Sequence, residues 1–140
     1  RVEIFDNDIG ANQTANVLIT SYFSAEYSGE REQAASFDPY PETIFIYGNR
    51  FAAGGNNPDR TELEQLRVAA FGEDGNLPDI VWDGISNPDK SGTEFAICVD
   101  NGEAIMINID AGNDYQNVTT EMAGHTCAHD KLSEVTLASR

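Results

Sequence analysis

The chain has 140 residues, of which 24 are acidic and 8 are basic, and its formal net charge at pH 7 is -16. This length corresponds to about one domain, and no apolar run is long enough to cross a membrane. A surface of this charge repels phosphate backbones and anionic lipids, because binding to either requires clustered Lys and Arg. The composition therefore argues against nucleic acid as a partner. It leaves a basic partner, bound cations, a salty medium or simple solubility as explanations of the acidity.

The first predicted element is a short strand that ends in an Asn bend. Residues 2–9, VEIFDNDI, alternate with the period of a β-strand until Asp6 and Asn7, a pair that favours a tight bend. A similar phrase, IFIYGNRF, occupies residues 44–51 and aligns Asn49 with Asn7. If the two phrases lie on neighbouring strands, their bends stack, and we expect an Asn ladder of Asn7 and Asn49. The alternative is two unrelated strands that each end in a common Asn turn.

Further strands, loops and one helix follow along the chain. A β-branched strand is predicted within residues 16–23, and the polar residues 24–42, which contain two prolines, are predicted to form a long loop. Residues 61–71, TELEQLRVAAF, place four apolar side chains on one helical face, with Asp59 or Thr61 as the cap. Those four side chains are Leu63, Leu66, Ala70 and Phe71.

The C-terminal third is predicted to close the fold. Residues 79–85, DIVWDGI, return to the strands, and residues 95–110 read as an antiparallel hairpin around Asn101-Gly102, a strong two-residue turn signal. The predicted fold class is all-β: a right-handed parallel β-helix with inserted loops, one short α-helix and a C-terminal antiparallel cap. The predicted boundaries are 1–94 for the coils, with insertions at 24–42 and 54–78, and 95–140 for the cap, its disulfide and a tail.

The two cysteines, Cys98 and Cys127, stand in unlike contexts, and neither belongs to a CxxC motif. An even count in a polar, lysine-poor chain favours one disulfide and an oxidising compartment. We therefore predict a Cys98–Cys127 disulfide and an extracytoplasmic location, whether periplasmic, cell-surface or secreted. His125 and His129 flank Cys127, but a zinc site needs further ligands and only Asp130 stands nearby. A disulfide at Cys127 would rule this zinc site out.

No motif assigns a catalytic residue. The aspartates can supply a carboxylate pair for glycoside hydrolysis or oxygen ligands for Ca²⁺, yet nothing singles out one pair, and the metal remains unassigned. The aromatic residues can stack on sugar rings, although Trp82 within DIVWDG is more typical of a core or cap residue. The aspartates are Asp6, Asp8, Asp38, Asp79, Asp83 and Asp110, and the aromatic residues are Trp82, Tyr22, Tyr40 and Tyr47.

Several phrases together resemble a known family. The segments VEIFDNDIGANQTANVLITSYF, FDPYPETIFIYGNRFAAGGNNPD, LPDIVWDGI and AICVDNG are similar to the C-terminal region of bacterial extracytoplasmic right-handed parallel β-helix repeat proteins. The resemblance runs from Val2 to about Cys127. In that family earlier coils precede this region, and the resemblance therefore implies further coils upstream. The family has no established activity, so the resemblance implies none for this chain. It also implies a shared extracytoplasmic role with a c-type cytochrome-like protein, since such genes often stand side by side.

Two classes of function follow from these observations. The first is a non-catalytic extracytoplasmic module, a scaffold or binding subunit of a larger protein or complex. The second is the C-terminal part of a carbohydrate-active β-helix enzyme, lyase-like or hydrolase-like, or a carbohydrate-binding module; the scattered basic residues weigh against the lyase. Because the first strands would lack a neighbour on one side, we expect residues 1–140 to continue a longer protein or to dock by that face on another subunit.

Overall fold

A computed structural model describes residues 1–24 and 37–134. Within these ranges the chain forms eight strands and one α-helix, together with two short 3₁₀ turns at Thr93–Phe95 and Ala111–Asn113. The strands are β1 (Val2–Phe5), β2 (Asp8–Ile9), β3 (Val17–Ile19), β4 (Ile44–Tyr47), β5 (Arg50–Phe51), β6 (Ile80–Trp82), β7 (Ile97–Asp100) and β8 (Met106–Asn108), and the helix is α1 (Thr61–Phe71).

The strands pair in three short parallel sheets. Their orders are β1-β4-β7, β2-β5 and β3-β6-β8. In the first sheet Val2 lies opposite Ile44, and in the third Val17 lies opposite Ile80. Each strand therefore pairs with one that is distant in sequence, and the similar phrases at residues 2–9 and 44–51 lie side by side.

The predicted fold class, an all-β right-handed parallel β-helix, is wrong. The described residues form separate sheets of only two or three strands, each strand two to four residues long, plus one 11-residue helix, and they form no continuous solenoid. The physical reason lies in the connections. Bends at positive φ, such as Asp6 and Gly48, end the strands after a few residues. The fold is a small mixture of short parallel sheets and a helix.

The predicted antiparallel cap at residues 95–110 is also wrong. β7 pairs in parallel with β4, and β8 pairs in parallel with β6, so the two strands lie in different sheets. The segment 118–129 covers this end of the molecule instead. Thr119 forms an isolated antiparallel bridge with Asn108, and the His125 carbonyl accepts a 2.8 Å hydrogen bond from the Val99 N–H.

The core lies between the sheets and beneath the helix. One cluster of buried side chains comes from β3, β4, β6, β7 and β8 of the first and third sheets. This cluster joins residues on both sides of the predicted boundary between residues 94 and 95. A second cluster joins Leu63 of α1 to Val81 and Ile107. Burial of these side chains supplies the main favourable free energy of folding. The first cluster consists of Val17, Ile19, Ile44, Ile46, Ile80, Trp82, Ile97, Val99 and Met106.

The helix α1 begins and ends where the sequence pattern predicts. Leu63 is buried and Leu66 is half-buried, whereas Ala70 and Phe71 are exposed. The predicted cap is wrong, because Arg60 occupies the N-cap position and makes no side-chain capping bond.

The end of α1 depends on a buried Arg67. Its guanidinium binds the Glu64 carboxylate through two nitrogens, at 2.8 and 2.7 Å, and donates to the Glu73 carbonyl at 2.9 Å. Arg67 thus satisfies backbone carbonyls just beyond the helix, which no sequence pattern indicated.

The predicted loop 24–42 is described only at Ser24 and at residues 37–42, and the rest of it lies outside the described residues. Along the part of the chain that is described, no helix has the length and apolar character needed to cross a membrane.

Candidate binding surface

The first strands of the three sheets, β1, β2 and β3, are terminal strands without a further strand partner among the described residues. β1 and β3 border one groove of about 530 Å³, into which Ile4, Val17 and Ile19 turn. We call this side of the molecule the open edge. Val2, Phe5 and Leu18 are exposed on its strands, so the open edge combines unpaired backbone with apolar side chains.

A row of three asparagines runs from the covered end of the first sheet to the open edge. The N–H and Nδ2 of Asn49 donate to Asn101 Oδ1 at 2.6 and 3.0 Å. In the same way, the N–H and Nδ2 of Asn7 donate to Asn49 Oδ1 at 3.1 and 3.0 Å. The structure therefore brings together the two predicted ladder residues. It adds Asn101, whose place in the sequence had indicated a hairpin turn.

The sequence contains a signal for Asn101, an asparagine just after a strand, but this asparagine lies one position earlier relative to its strand than Asn7 and Asn49 do. Asn7 and Asn49 each follow the last residue of their strand by two positions, whereas Asn101 follows β7 directly. The Asn-Gly dipeptide indicated a hairpin more strongly than this shifted alignment indicated a third asparagine in the row.

The wall of the groove carries a three-residue ionic group. Lys90 Nζ lies 2.6 Å from Asp38 Oδ2 and also binds Glu42 Oε1. The hydrogen bond from Lys90, together with the Tyr40 backbone N–H, holds the pKa of Asp38 below its usual range. Bonds to the two carboxylates raise the pKa of Lys90. The other Glu42 oxygen, Oε2, is buried without a hydrogen-bond partner among the described residues.

Two of the other predicted aspartates, Asp8 and Asp79, each bind a partner of their own. Asp8 binds Arg50, with Arg50 Nη2 2.6 Å from Asp8 Oδ2, and Asp79 accepts a 2.8 Å bond from Asn16. Asp6 is exposed at the first bend.

Asp83 and Asp110 organise local backbone. Asp83 is buried and accepts a 3.0 Å bond from the Ile85 N–H as well as a bond from the Ser24 hydroxyl. Asp110 accepts bonds from Asn113 and Asn117, and the Asn113 bond is the main cause that lowers the pKa of Asp110. These carboxylates satisfy turns, which is a structural use of their charge.

The predicted disulfide between Cys98 and Cys127 is confirmed. It fastens the segment 118–129 to β7, where His125 Nδ1 lies 2.9 Å from the Ile97 carbonyl oxygen. His129 Nε2 similarly lies 2.9 Å from the carbonyl oxygen of Ala96. Cys127 and both histidines of the HTCAH segment therefore attach this segment to the region of β7. Within residues 1–24 and 37–134 no group of three His, Cys, Asp or Glu side chains could hold a metal ion.

The aromatic residues divide between core and surface. Trp82 is buried in the first core cluster, as predicted, and Tyr47 is buried between Phe5 and Phe45. Tyr22 and Tyr40 lie beside the groove and contact Phe37 and Phe23, respectively, with ring centroids 5.1 and 5.3 Å apart. These two ring pairs form a partly exposed aromatic surface that consists of Tyr22, Phe23, Phe37 and Tyr40.

Comparison of the chain with family models, curated proteins and solved structures finds no match. The resemblance to extracytoplasmic parallel β-helix repeat proteins, and the c-type cytochrome partner it implied, therefore have no support from relatives.

Proposed function

We propose that the chain is a non-catalytic extracytoplasmic module that binds a protein partner, as a scaffold or binding subunit of a larger protein or complex. The observation that carries the proposal is the asymmetry between the two ends of the sheets. Segment 118–129 and a disulfide cover the β7 side, whereas β1, β2 and β3 have no strand partner among the described residues. Unpaired strand edges beside exposed apolar side chains are surfaces that other chains bind.

Two further observations support the proposal. The disulfide is compatible with an oxidising compartment and hence with an extracytoplasmic location. Several carboxylates bind local partners, among them Asp8, Asp79 and Asp110, and the lowered pKa of Asp38 keeps this group ionised. A general acid needs a raised pKa, so Asp38 is a poor candidate for acid catalysis.

The test is partner identification followed by reconstitution. The tagged chain would be exported in its native cells, crosslinked, and compared with the variant Leu18→Asp, which places a charge on the exposed part of β3. Val68→Asp on the exposed side of α1 is the matched control. We expect one protein to be enriched with the wild type and the control but lost with Leu18→Asp, and the purified partner to bind in calorimetry. A polysaccharide-cleaving activity of the purified chain, or equal recovery with all three proteins, would contradict the proposal.

The aromatic surface favours a second candidate, a carbohydrate-binding module. The rings of Phe23 and Phe37 are exposed and contact Tyr40 and Tyr22, so the four rings form two adjoining exposed pairs. Grouped exposed aromatic rings, unlike isolated ones, are typical of binding surfaces. A glycan array probed with the wild type and with Phe23→Ala distinguishes the candidates. Glycan binding that depends on Phe23 would favour the carbohydrate module over the protein-binding module.

A further inference from the structure

The asparagine row has a direction, and it stops at the open edge with an unused acceptor. Asn7 and Asn49 each donate their backbone N–H and Nδ2 to the Oδ1 of the next asparagine toward β7. Asn101, the last of the row, instead donates its Nδ2 to the Asn49 carbonyl at 2.8 Å. Asn101 and Asn49 both receive these two bonds. Asn7 Oδ1 receives none among the described residues, and Asn7 is exposed. By analogy with Asn49 and Asn101, Asn7 Oδ1 can accept a backbone N–H and a side-chain amide from another asparagine.

The backbone of β1 offers a second set of groups, although one of them, the Phe5 carbonyl, already accepts a 2.8 Å hydrogen bond from Asn7 Nδ2. The Val2 N–H donates to the Thr43 carbonyl at 3.0 Å, and the Asp6 N–H donates to the Tyr47 carbonyl. Alternate residues of a strand direct their backbone groups to opposite sides. The backbone groups of Glu3 and Phe5 therefore point away from β4, toward the open edge.

The strand β3 on the other side of the groove has the same arrangement. The Val17 N–H donates to the Asp79 carbonyl, and the Ile19 carbonyl accepts from the Asp83 N–H. Leu18 stands between these residues, so its backbone groups point outward, and half of the residue is exposed. The two outward edges border the groove of about 530 Å³.

Charge decides what kind of chain can occupy this edge. A second copy would bring another formal net charge of -16 to the contact, which self-repulsion disfavours. Asp6 and Asp8 flank Asn7 on the open edge, and Asp38 and Glu42 line the groove. Arg50 pairs with Asp8, Lys90 with Asp38 and Glu42, and Arg1 with Glu3, so carboxylates outnumber the cations paired with them. A partner with basic side chains next to its strand complements this arrangement.

We infer that the open edge binds an extended, basic segment of a separate protein, which adds in parallel to β1. The segment is a short strand followed by an Asn bend. Its asparagine donates its N–H and Nδ2 to Asn7 Oδ1. Its strand binds the outward N–H and carbonyl of Glu3 and the outward N–H of Phe5, and an apolar side chain enters the groove. The inference rests on the proposed function and specifies the partner chemistry.

The chain itself supplies the probe. Residues 43–51, TIFIYGNRF, contain a strand, an Asn bend and one basic residue, and in the folded protein they lie parallel to residues 1–9. A capped peptide of this sequence would be titrated into the intact, oxidised protein and followed by calorimetry. Two control peptides carry Asn49→Ala or Arg50→Glu. We expect either change in the peptide to weaken binding about fivefold or more, the size of a lost hydrogen bond or ion pair.

Protein variants locate the bound peptide. Asn7→Ala removes the acceptor and should weaken binding about fivefold. Leu18→Pro removes the outward N–H of β3, which a segment bound to β1 does not use, whereas Leu18→Ala shortens the same side chain and keeps that N–H. We therefore expect the two Leu18 variants to bind the peptide equally. Amide hydrogen exchange should show new protection at Glu3 and Phe5. Thermal unfolding of each variant verifies that it is folded.

The outcomes separate this inference from the proposed function. The absence of peptide binding, or binding that Asn7→Ala leaves unchanged without protection at Glu3 and Phe5, would overturn the edge site. So would sedimentation that shows the protein self-associating through this edge. A reconstituted partner that binds elsewhere would leave the proposed function intact while refuting the inference.

Discussion

Asn49 is the central residue of the asparagine row, and it is only 8 % exposed. Its Nδ2 lies within bonding distance of the carbonyl oxygens of Ile4 and Tyr47 as well as of Asn101 Oδ1. Its Oδ1 accepts two bonds from Asn7. A single amide thus joins β1, β4 and the bend after β7.

We predict that Asn49→Ala lowers the free energy of unfolding by about 2–3 kcal/mol, because it leaves several buried polar groups without partners. Asn7→Ala removes bonds at an exposed position and should cost about 0.5–1.5 kcal/mol. Urea unfolding of both variants measures the difference. Equal losses would show that the row contributes no more at its centre than at its end.

Single residues were the most predictable level of this molecule. The alignment of Asn7 with Asn49 follows from two phrases that match without a gap, and the disulfide follows from an even cysteine count in a polar chain. Arg67 was not predictable, because its partners are carbonyls beyond the helix whose positions depend on a turn. An amphipathic pattern assigns charged side chains to the exposed face of a helix, so it cannot predict that Arg67 is buried.

At the scale of elements, the segment 118–129 depends on the Cys98–Cys127 disulfide. The cysteines are 29 positions apart, and Cys98 is fully buried. None of the residues in this segment is fully buried. The disulfide is its covalent attachment to β7 and stands beside the hydrogen bonds of His125 and His129.

We predict that reduction lowers the free energy of unfolding by about 3–4 kcal/mol, the chain-entropy value for a closed loop of this size. The double variant Cys98→Ala/Cys127→Ala should show a comparable loss. Hydrogen exchange should then show lost protection of the Val99 amide, which is bound to the His125 carbonyl in the oxidised protein. Unfolding curves that coincide with and without reductant would refute this dependence.

Elements were predicted well where the signal was local. The bounds of α1 follow from apolar spacing, since Leu63 and Leu66 turn to the core within one contiguous segment. The hairpin at 95–110 failed for the opposite reason. Its turn dipeptide is local, but β7 and β8 are held by β4 and β6, which the dipeptide cannot indicate.

At the scale of the whole molecule, acidity has two opposing effects. The net charge of -16 disfavours the compact state at pH 7. Several carboxylates nevertheless have a lowered pKa because hydrogen-bond donors hold them ionised. They are Asp8 with Arg50, Asp38 with Lys90, Glu64 with Arg67 and Asp110 with Asn113.

A carboxylate with a lowered folded-state pKa contributes stability above its unfolded pKa, and that contribution is lost as the pH falls through the lower folded value. We therefore predict that the Tm falls below about pH 4. Asp110→Asn should be less stable than wild type at pH 7, and the difference should vanish in acid, where Asp110 is protonated. Calorimetry across the pH range measures this, with the exposed Asp130→Asn as control. A difference that persists in acid would contradict the prediction.

The fold class was the least predictable level. The strand phrases and Asn bends correctly indicate that residues 2–5 and 44–47 are strands, but they do not indicate how far a sheet continues. Strand length and sheet size depend on the bends at Asp6 and Gly48 and on the long connection that contains α1. Those features are set by tertiary contacts that a short phrase does not encode.

The pairing of sequence-distant strands has a consequence for how the chain reaches this structure. No described strand pairs with the strand next to it in sequence, and the side-chain partner of Asn7, Asn49, lies 42 positions further along the chain. Each first contact must therefore close a long loop before any hydrogen bond rewards it, which slows folding. During synthesis β1 emerges long before β4, and until then its apolar residues and both of its edges are available to any chaperone or foreign strand in reach.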